Sequence, residues 1–377
     1  MRRGVLALLA VLLLSVSAFT EPRTDYRLAV VLVHFTDTPP PAWGPTQVAR
    51  TLRDVTAEYL SYSYGRVRIV PDVYGWYTLD APAGTACPKK AMQTLGETAV
   101  RKEFGGAVLS RYQAIMFVTT GVDCGHTEGT ASIGGSPAYI WIFSGNNGRL
   151  ISHELAHAFG RPHSGSRACS AAGCTEHEYG DPYDRVGCGA RPQHFNAAQK
   201  EAQGWLGAPG FPSIRQVTAS GAYWIDAYEP PGGEDSVRSL KVATGRKDSS
   251  GRDIFYYVES RGADGTGRVL LHVAGTGPDR PLSVHLVDLA PASTRFDAVL
   301  DTGQTFTDFA AGVAFTTLSS SAAGSLVRVD VTDAVIPRAA RSPDLRASRA
   351  EPAPTTRPLP PREGLPPPPS ASPDRQD

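Results

Sequence analysis

The sequence predicts a mixed α/β (α+β) domain followed by an all-β, sandwich-like domain, and three observations support this. Apolar strand-like runs alternate with helical patterns up to about residue 210. Beyond that point short strand-like runs succeed one another, separated by Gly, Pro, Asp and Ser. The N-terminal end is apolar and the C-terminal end is rich in proline, and neither composition is typical of a folded domain. We therefore expect a signal peptide at 1–18, domains at 24–210 and 211–335, and a disordered Pro-rich tail at 336–377.

The first domain is predicted from strand and helix patterns in alternation. Apolar runs predict buried strands at 26–35, 112–120 and 138–143, and further strand patterns lie at 66–70 and 75–79. Near-helical spacing of apolar residues predicts helices at 44–65 and 88–106. Such an alternation is typical of helices packed on a twisted sheet.

The ends of the chain indicate export. Arg2 and Arg3 precede an apolar run from Val5 to Leu14, and small residues follow, which is the order of a secretory signal peptide. The run is too short to span a bilayer comfortably, and no later segment is apolar enough to do so. At the other end, twelve prolines fall within 336–377, where large apolar residues are scarce. We expect a secreted, extracellular protein without membrane insertion, with the periplasm as the alternative location.

Charge and cysteine content restrict the partners and the compartment. The 37 basic and 37 acidic side chains balance, so no global field attracts nucleic acid or an anionic membrane. We expect a monomer. Because exported cysteines form disulfides, Cys87 with Cys124 and Cys169 with Cys174 are plausible pairs, although sequence does not determine connectivity. Cys188 is then left over.

Three histidines lie close together in the stretch ISHELAHAFGRPHSG. His153 and His157 are four positions apart, so on a helix they share one face and can bind the same tetrahedral Zn²⁺. Gly160 favours a helix end and Pro162 prevents continuation, so the chain can turn back and present His163 as a third ligand. The alternative is a helix with exposed histidines and no metal, which is disfavoured because five fixed positions rarely coincide by chance.

Glu154 follows the first of these histidines and is expected to face the open side of the metal. A carboxylate in that place can accept a proton from zinc-bound water, whose pKa zinc lowers toward about 7. Three protein ligands leave the fourth position to water, which is typical of a catalytic zinc site. The residues thus predict one catalytic Zn²⁺ bound by His153, His157 and His163, with Glu154 as general base.

The motif H-E-x-x-H-x-x-G-x-x-H has the metzincin form, and the segments after it resemble the gametolysin (autolysin) family of metalloproteases. That family's pattern is similar to E-Y-G-D-P-x-D-x-M-G followed by F-N-A-x-x-K/R-x-x-x-G-W, which 178–184 and 195–206 follow closely. The resemblance covers about 45–210. It implies the same three histidine ligands, the same glutamate base, and cleavage of peptide bonds in extracellular or cell-wall proteins.

One position departs from the family pattern. Metzincins carry a methionine in a tight turn beneath the zinc, and Val186 stands in its place here. Valine is apolar and can still form the floor of the site, with less volume. The prediction is a secreted zinc-dependent endopeptidase acting on a protein or peptide substrate. The alternatives are a catalytically impaired binding protein on a metzincin scaffold and a zinc hydrolase for non-peptide bonds.

Further residues around the motif are candidates for secondary roles. Tyr179 or Tyr183 could donate a hydrogen bond to an oxyanion, although packing in the turn is the plainer interpretation. Asp181 could bond a ligand histidine, as carboxylates behind metal sites often do. The strand in 136–143 is expected at the edge of the sheet, where an extended substrate could pair with it.

Overall fold

The computed structural model of the protein describes residues 24–39, 41–84, 87–170, 173–188, 194–262, 267–275, 283–290 and 297–332. The predicted signal peptide and Pro-rich tail lie outside these residues. The described chain is a mixed α+β structure, with four α-helices and three sheets in these ranges. This agrees with the predicted mixture of helices and sheets.

The N-terminal part is built around a five-stranded sheet. Its elements are β1 (Thr24–Phe35), α1 (Pro45–Tyr62), β2 (Val67–Leu79), α2 (Lys89–Phe104), β3 (Ala114–Val118), β4 (Gly129–Ala131), β5 (Ala138–Ile142) and α3 (Gly148–Ala158). The strand order is β2-β1-β3-β5-β4, and only β4 runs antiparallel to its neighbour. The predicted strands and helices of this part are therefore present, with shifted ends.

Both faces of this sheet are covered by helices. Leu28, Val30 and Leu32 of β1 share an apolar cluster with α1 and α3, whereas Ala29 and Val31 share another with α2. A strand buried on both faces has no polar face to show, which explains the continuous apolar run that predicted β1. Since α1 and α3 lie on the same face, the helix with the histidine motif is anchored between the sheet and α1.

Two details of the sheet differ from expectation. The strand patterns at 66–70 and 75–79 belong to one continuous strand, β2, which contains Pro71 and Gly75. Proline is tolerated there because β2 is the outer strand, bonded to β1 alone among the described strands. The prediction of an edge strand within 136–143 is wrong, because β4 pairs with the free side of β5. The sequence did not predict β4, because its three small residues, Gly-Thr-Ala, are too few to show a strand pattern.

The remainder of the chain is mostly β. Its elements are β6 (Ser164–Ser170), β7 (Gly173–His177), α4 (Ala197–Ala202), β8 (Ser213–Val217), β9 (Gly221–Asp226), β10 (Val237–Lys247), β11 (Asp253–Arg261), β12 (Arg268–Gly275), β13 (Val284–Asp288), β14 (Val299–Leu300), β15 (Thr305–Asp308), β16 (Val313–Ser321) and β17 (Gly324–Val331).

These strands form two sheets that pack against each other. The eight-stranded sheet has the order β7-β6-β13-β12-β11-β10-β8, with β14 on β12, and the four-stranded sheet has the order β15-β16-β17-β9. One apolar cluster includes Leu240 and Val258 of the larger sheet with Phe315 and Val327 of the smaller one. The larger sheet takes strands from both sides of residue 210, because β6 pairs in parallel with β13. The limits of the two domains remain a prediction.

Both expected disulfides are present. Cys87 is bonded to Cys124, and Cys169 to Cys174 across the β6–β7 hairpin, which confirms the two predicted pairs. Cys188 forms no disulfide with another described cysteine. Within the ranges that the structure describes, no helix combines the length and the apolar character needed to cross a membrane.

Candidate metal centre

The helix α3 presents the first two motif histidines from a firmly held position. Asn147 precedes its first turn and accepts a hydrogen bond from the Leu150 amide at 3.3 Å, as an N-cap residue does. Ile151 and Leu155 are fully buried and anchor one face in the apolar core. The helix ends at Ala158, and Gly160 follows with φ of 81°, a value that glycine adopts at little cost.

The three predicted ligands come together in space. The ligand nitrogens of His153, His157 and His163 all lie within 4.8 Å of one another. His157 Nε2 is 3.1 Å from His163 Nε2. The return of the chain to His163 is supported from α4, where the Gln199 side-chain amide donates to the Pro162 carbonyl at 3.2 Å.

An oxygen atom faces the Nδ1 atom of each imidazole. The carbonyl oxygen of Arg185 lies 3.2 Å from His153 Nδ1, and that of Arg161 lies 2.6 Å from His157 Nδ1. The carboxylate of Glu178 lies 2.6 Å from His163 Nδ1. A carbonyl oxygen can only accept, so Nδ1 of His153 and of His157 is the donor and carries the proton. In a neutral ring Nε2 then has a lone pair.

The surroundings keep the two helical imidazoles neutral. Burial, followed by the neighbouring imidazoles, holds the pKa of His153 well below its ordinary value. Burial and then His163 lower the pKa of His157 to about 4. At neutral pH these rings are therefore uncharged bases.

The donor set fits a metal ion. A tetrahedral ion with Zn–N bonds of 2.0–2.1 Å separates two ligand nitrogens by about 3.3 Å, close to the 3.1 Å between His157 Nε2 and His163 Nε2. His153, His157 and His163 could therefore hold a metal ion, and neutral imidazoles suit zinc among others.

The carboxylate next to the ligands is not the one predicted. Asp181 was expected to bond a ligand histidine, but its Oδ2 lies 2.9 Å from Nε2 of His272, which belongs to β12. Glu178 takes the expected place at His163. The prediction for Asp181 is wrong because the sequence could not show that the β region delivers a buried histidine to this carboxylate. Glu178 could have been found in the family-like segment, whereas His272 lies in a run that shows no motif.

The two candidate tyrosines occupy different environments. Tyr179 lies beside the cluster, with its ring centroid 3.8 Å from that of His163 and 6.2 Å from that of His153. Its backbone has φ of 58°, an unusual value for a residue with a side chain. Tyr183 is buried and shares an apolar cluster with Leu270 and Leu286. Of the two, only Tyr179 is near the ligands.

Glu154 and the segment beneath the ligands complete the site. Glu154 is buried, and a methyl group added to Gly129 of β4 would lie 3.1 Å from its Cγ and 3.2 Å from its Oε1. The strand β4 therefore passes directly along the candidate base. Val186 is fully buried in the cluster that includes α3, and its carbonyl oxygen accepts from the Ser164 amide at 3.0 Å. The segment around Val186 thus packs against α3 and the start of β6.

Three other histidines near the motif, His126, His177 and His194, lie outside the cluster. His126 and His177 are exposed loop or hairpin residues, and neither is grouped with the three ligands. His194 is buried beside Tyr62 and Tyr228, and burial holds its pKa well below its ordinary value. These residues have no part in the candidate metal site.

No protein-family model matches the chain, and no curated protein matches its sequence. Among solved structures, the chain is similar to the crystal structure of metalloproteinase-II from Bacteroides fragilis, at a TM-score of 0.31 and 14% sequence identity. The match covers 48% of this chain and 53% of that chain, so this chain spans about half of that structure's length. A likeness of this size does not establish a shared fold, and the gametolysin resemblance stays a prediction.

Proposed function

We propose that the protein is a secreted zinc-dependent endopeptidase with a metzincin-like catalytic unit. One observation carries the proposal: three imidazoles converge, and a backbone carbonyl oxygen faces Nδ1 of two of them, which leaves Nε2 of those rings available as a ligand atom. A buried glutamate, Glu154, lies on α3 between His153 and His157 in the sequence. The two disulfides support an exported location. Cell-wall or other extracellular proteins are the substrates that the family resemblance suggests.

One zinc ion would be held by Nε2 of His153, His157 and His163. When bound, the ion supplies Lewis acidity, which polarises a carbonyl and lowers the pKa of water toward about 7. The protein supplies the rest. Backbone carbonyls orient two ligand rings, and the Glu178 carboxylate orients the third.

Glu154 would act as the general base and then as the general acid. Its carboxylate accepts the proton of the attacking water and transfers it to the leaving amine. Burial excludes bulk water from this carboxylate and so strengthens its electrostatic effect. The described sheet places β4 beside it, antiparallel to β5 and with no other described strand on its outer side. An extended peptide could pair with that side and pass the carboxylate.

The test compares Glu154→Gln with the wild-type protein and with Glu103→Gln, an exposed glutamate of α2. Zinc content and hydrolysis of casein and a peptide library are measured for each. We expect Glu154→Gln to retain zinc and to lose at least about 100-fold in turnover, since it removes acid–base catalysis. Glu103→Gln should match the wild type. Equal hydrolysis by Glu154→Gln and wild type would refute the proposed role.

The second candidate is a binding protein on the same scaffold, and Val186 is the observation that favours it. Valine is smaller than methionine and fills less of the space expected beneath the ligands. In that case the wild type would bind zinc and bind peptides but would leave the library intact. A hydrolase for non-peptide bonds would also leave it intact, while cleaving ester or amide model compounds.

A further inference from the structure

A network of buried charges connects the candidate metal site to the β region. Its members are Asp181, Asp184, Glu259, Arg261 and His272, all buried. Nε2 of His272 lies 2.9 Å from Asp181 Oδ2, and its Nδ1 lies 3.3 Å from Glu259 Oε1. Arg261 Nε donates to Glu259 Oε2 at 2.7 Å. The acidic residues of the network lie in 181–184 and on β11, and its basic residues lie on β11 and β12.

Asp181 connects this network to the segment that carries the candidate ligand His163. Its Oδ2 accepts from the Ser164 hydroxyl at 3.0 Å, and its amide donates to the Ser164 carbonyl at 3.3 Å. Ser164 directly follows His163 in the chain. Asp181 also accepts from the Tyr183 amide at 2.8 Å through Oδ1, which shapes the turn that leads to Val186. One carboxylate therefore fixes both the residue after the third ligand and the segment beneath the site.

His272 is the cation that this carboxylate faces. Burial alone would lower the pKa of His272, but Glu259 and Asp181 outweigh it and raise that pKa to about 10. Asp184 shares this interior, and burial and then Asp181 raise its pKa to about 7. A neutral apolar residue at 272 would remove the buried cation that Asp181 faces, and an uncompensated buried carboxylate is strongly destabilising, so the contacts of Asp181 with Ser164 would be disturbed.

We propose that His272 is a positioning residue of the metal site, which holds Asp181 and through it fixes Ser164 and the adjacent ligand His163. The inference rests on the proposed zinc site and adds that the β region is part of the catalytic unit. The strand β6, which starts at Ser164, pairs in parallel with β13, which lies beside the strand β12 that carries His272. His163 is thus delivered by a strand of the β region, while His153 and His157 come from α3.

The test measures the zinc dissociation constant by chelator competition, the absorption spectrum of the Co²⁺-substituted protein, and the apo-protein Tm. The variants are His272→Leu, Asp181→Asn and the double variant. Val327→Ala, between the two β sheets and fully buried, is the matched control for lost stability. We expect His272→Leu to weaken zinc binding about tenfold and to change the Co²⁺ spectrum. Val327→Ala should do neither, even with a lower Tm.

If His272 acts through Asp181, the double variant binds zinc no more weakly than Asp181→Asn alone. His272→Gln keeps a donor near the position of Nε2 and should retain most of the affinity, which also provides a folded variant if leucine is not tolerated. Equal zinc affinity for His272→Leu, Val327→Ala and wild type would overturn the inference, as would additive losses in the double variant. The proposed protease function fails separately, if the wild type binds zinc but cleaves no peptide.

Discussion

Replacing Glu178 with glutamine should weaken zinc binding without disturbing the fold. Glu178 Oε1 lies 2.6 Å from His163 Nδ1, and the side chain is 64% exposed. A carboxylate at this position fixes the ring orientation and increases the basicity of Nε2. Glutamine has nearly the same shape and keeps an acceptor oxygen, so the substitution removes mainly the charge.

The size of the effect follows from the type of hydrogen bond and from its exposure. Hydrogen bonds to charged groups contribute about 1.5–3 kcal/mol, and neutral ones about 0.5–1.5 kcal/mol. Loss of the charge therefore costs about 1 kcal/mol, and solvent screening of this exposed carboxylate keeps the cost at the lower end. Since about 1.4 kcal/mol corresponds to tenfold, we expect the zinc dissociation constant to rise about fivefold.

The assay is chelator competition at neutral pH and fixed ionic strength, with Tm of the apo protein recorded in parallel. Glu176→Gln is the matched control, because Glu176 lies in the same hairpin and pairs with Arg167 and His285 instead of a ligand. Its zinc affinity should equal that of the wild type. A Glu178→Gln protein that binds zinc as tightly as Glu176→Gln would refute the reasoning.

The other predictions concern the strand along the base and the buried charges. Gly129→Ala should lower peptide turnover about tenfold with unchanged zinc affinity, because its methyl group displaces the Glu154 carboxylate. The control is Gly106→Ala, whose added methyl group meets no atom within 4 Å. Full activity of Gly129→Ala would contradict the reasoning. The folded pKa of His272, about 10, is above the unfolded value, so its stabilising contribution is complete below about pH 6.5 and is lost as pH rises toward 10. Urea unfolding across this range should show a fall in stability that His272→Gln reduces, and parallel curves for the two proteins would disprove it.

Local patterns in the sequence were sufficient to predict most of the secondary structure and the approach of the three histidines. Helical spacing places His153 and His157 on one face of α3, and the turn after Gly160 requires only local backbone geometry. The β1 strand was recognisable because burial on both faces leaves an unbroken apolar run. Contacts between residues within one helical turn, or between alternate residues of one strand, can be predicted from the spacing of those residues in the sequence.

The sequence by itself predicted that the three histidines come together, and it offered the two disulfide pairs that the structure contains, because each depends on short spacings or on a few available partners. Only the tertiary structure decided which strand lines the site, since β4 is too short to show a pattern and acquires its role by pairing with β5. It also decided which carboxylate serves a ligand. Asp181 and His272 are 91 residues apart, and their pairing removes Asp181 from the ligands and leaves His163 to Glu178. A buried carboxylate pairs with the cationic side chain that the fold brings next to it, and the local sequence does not show which side chain that is.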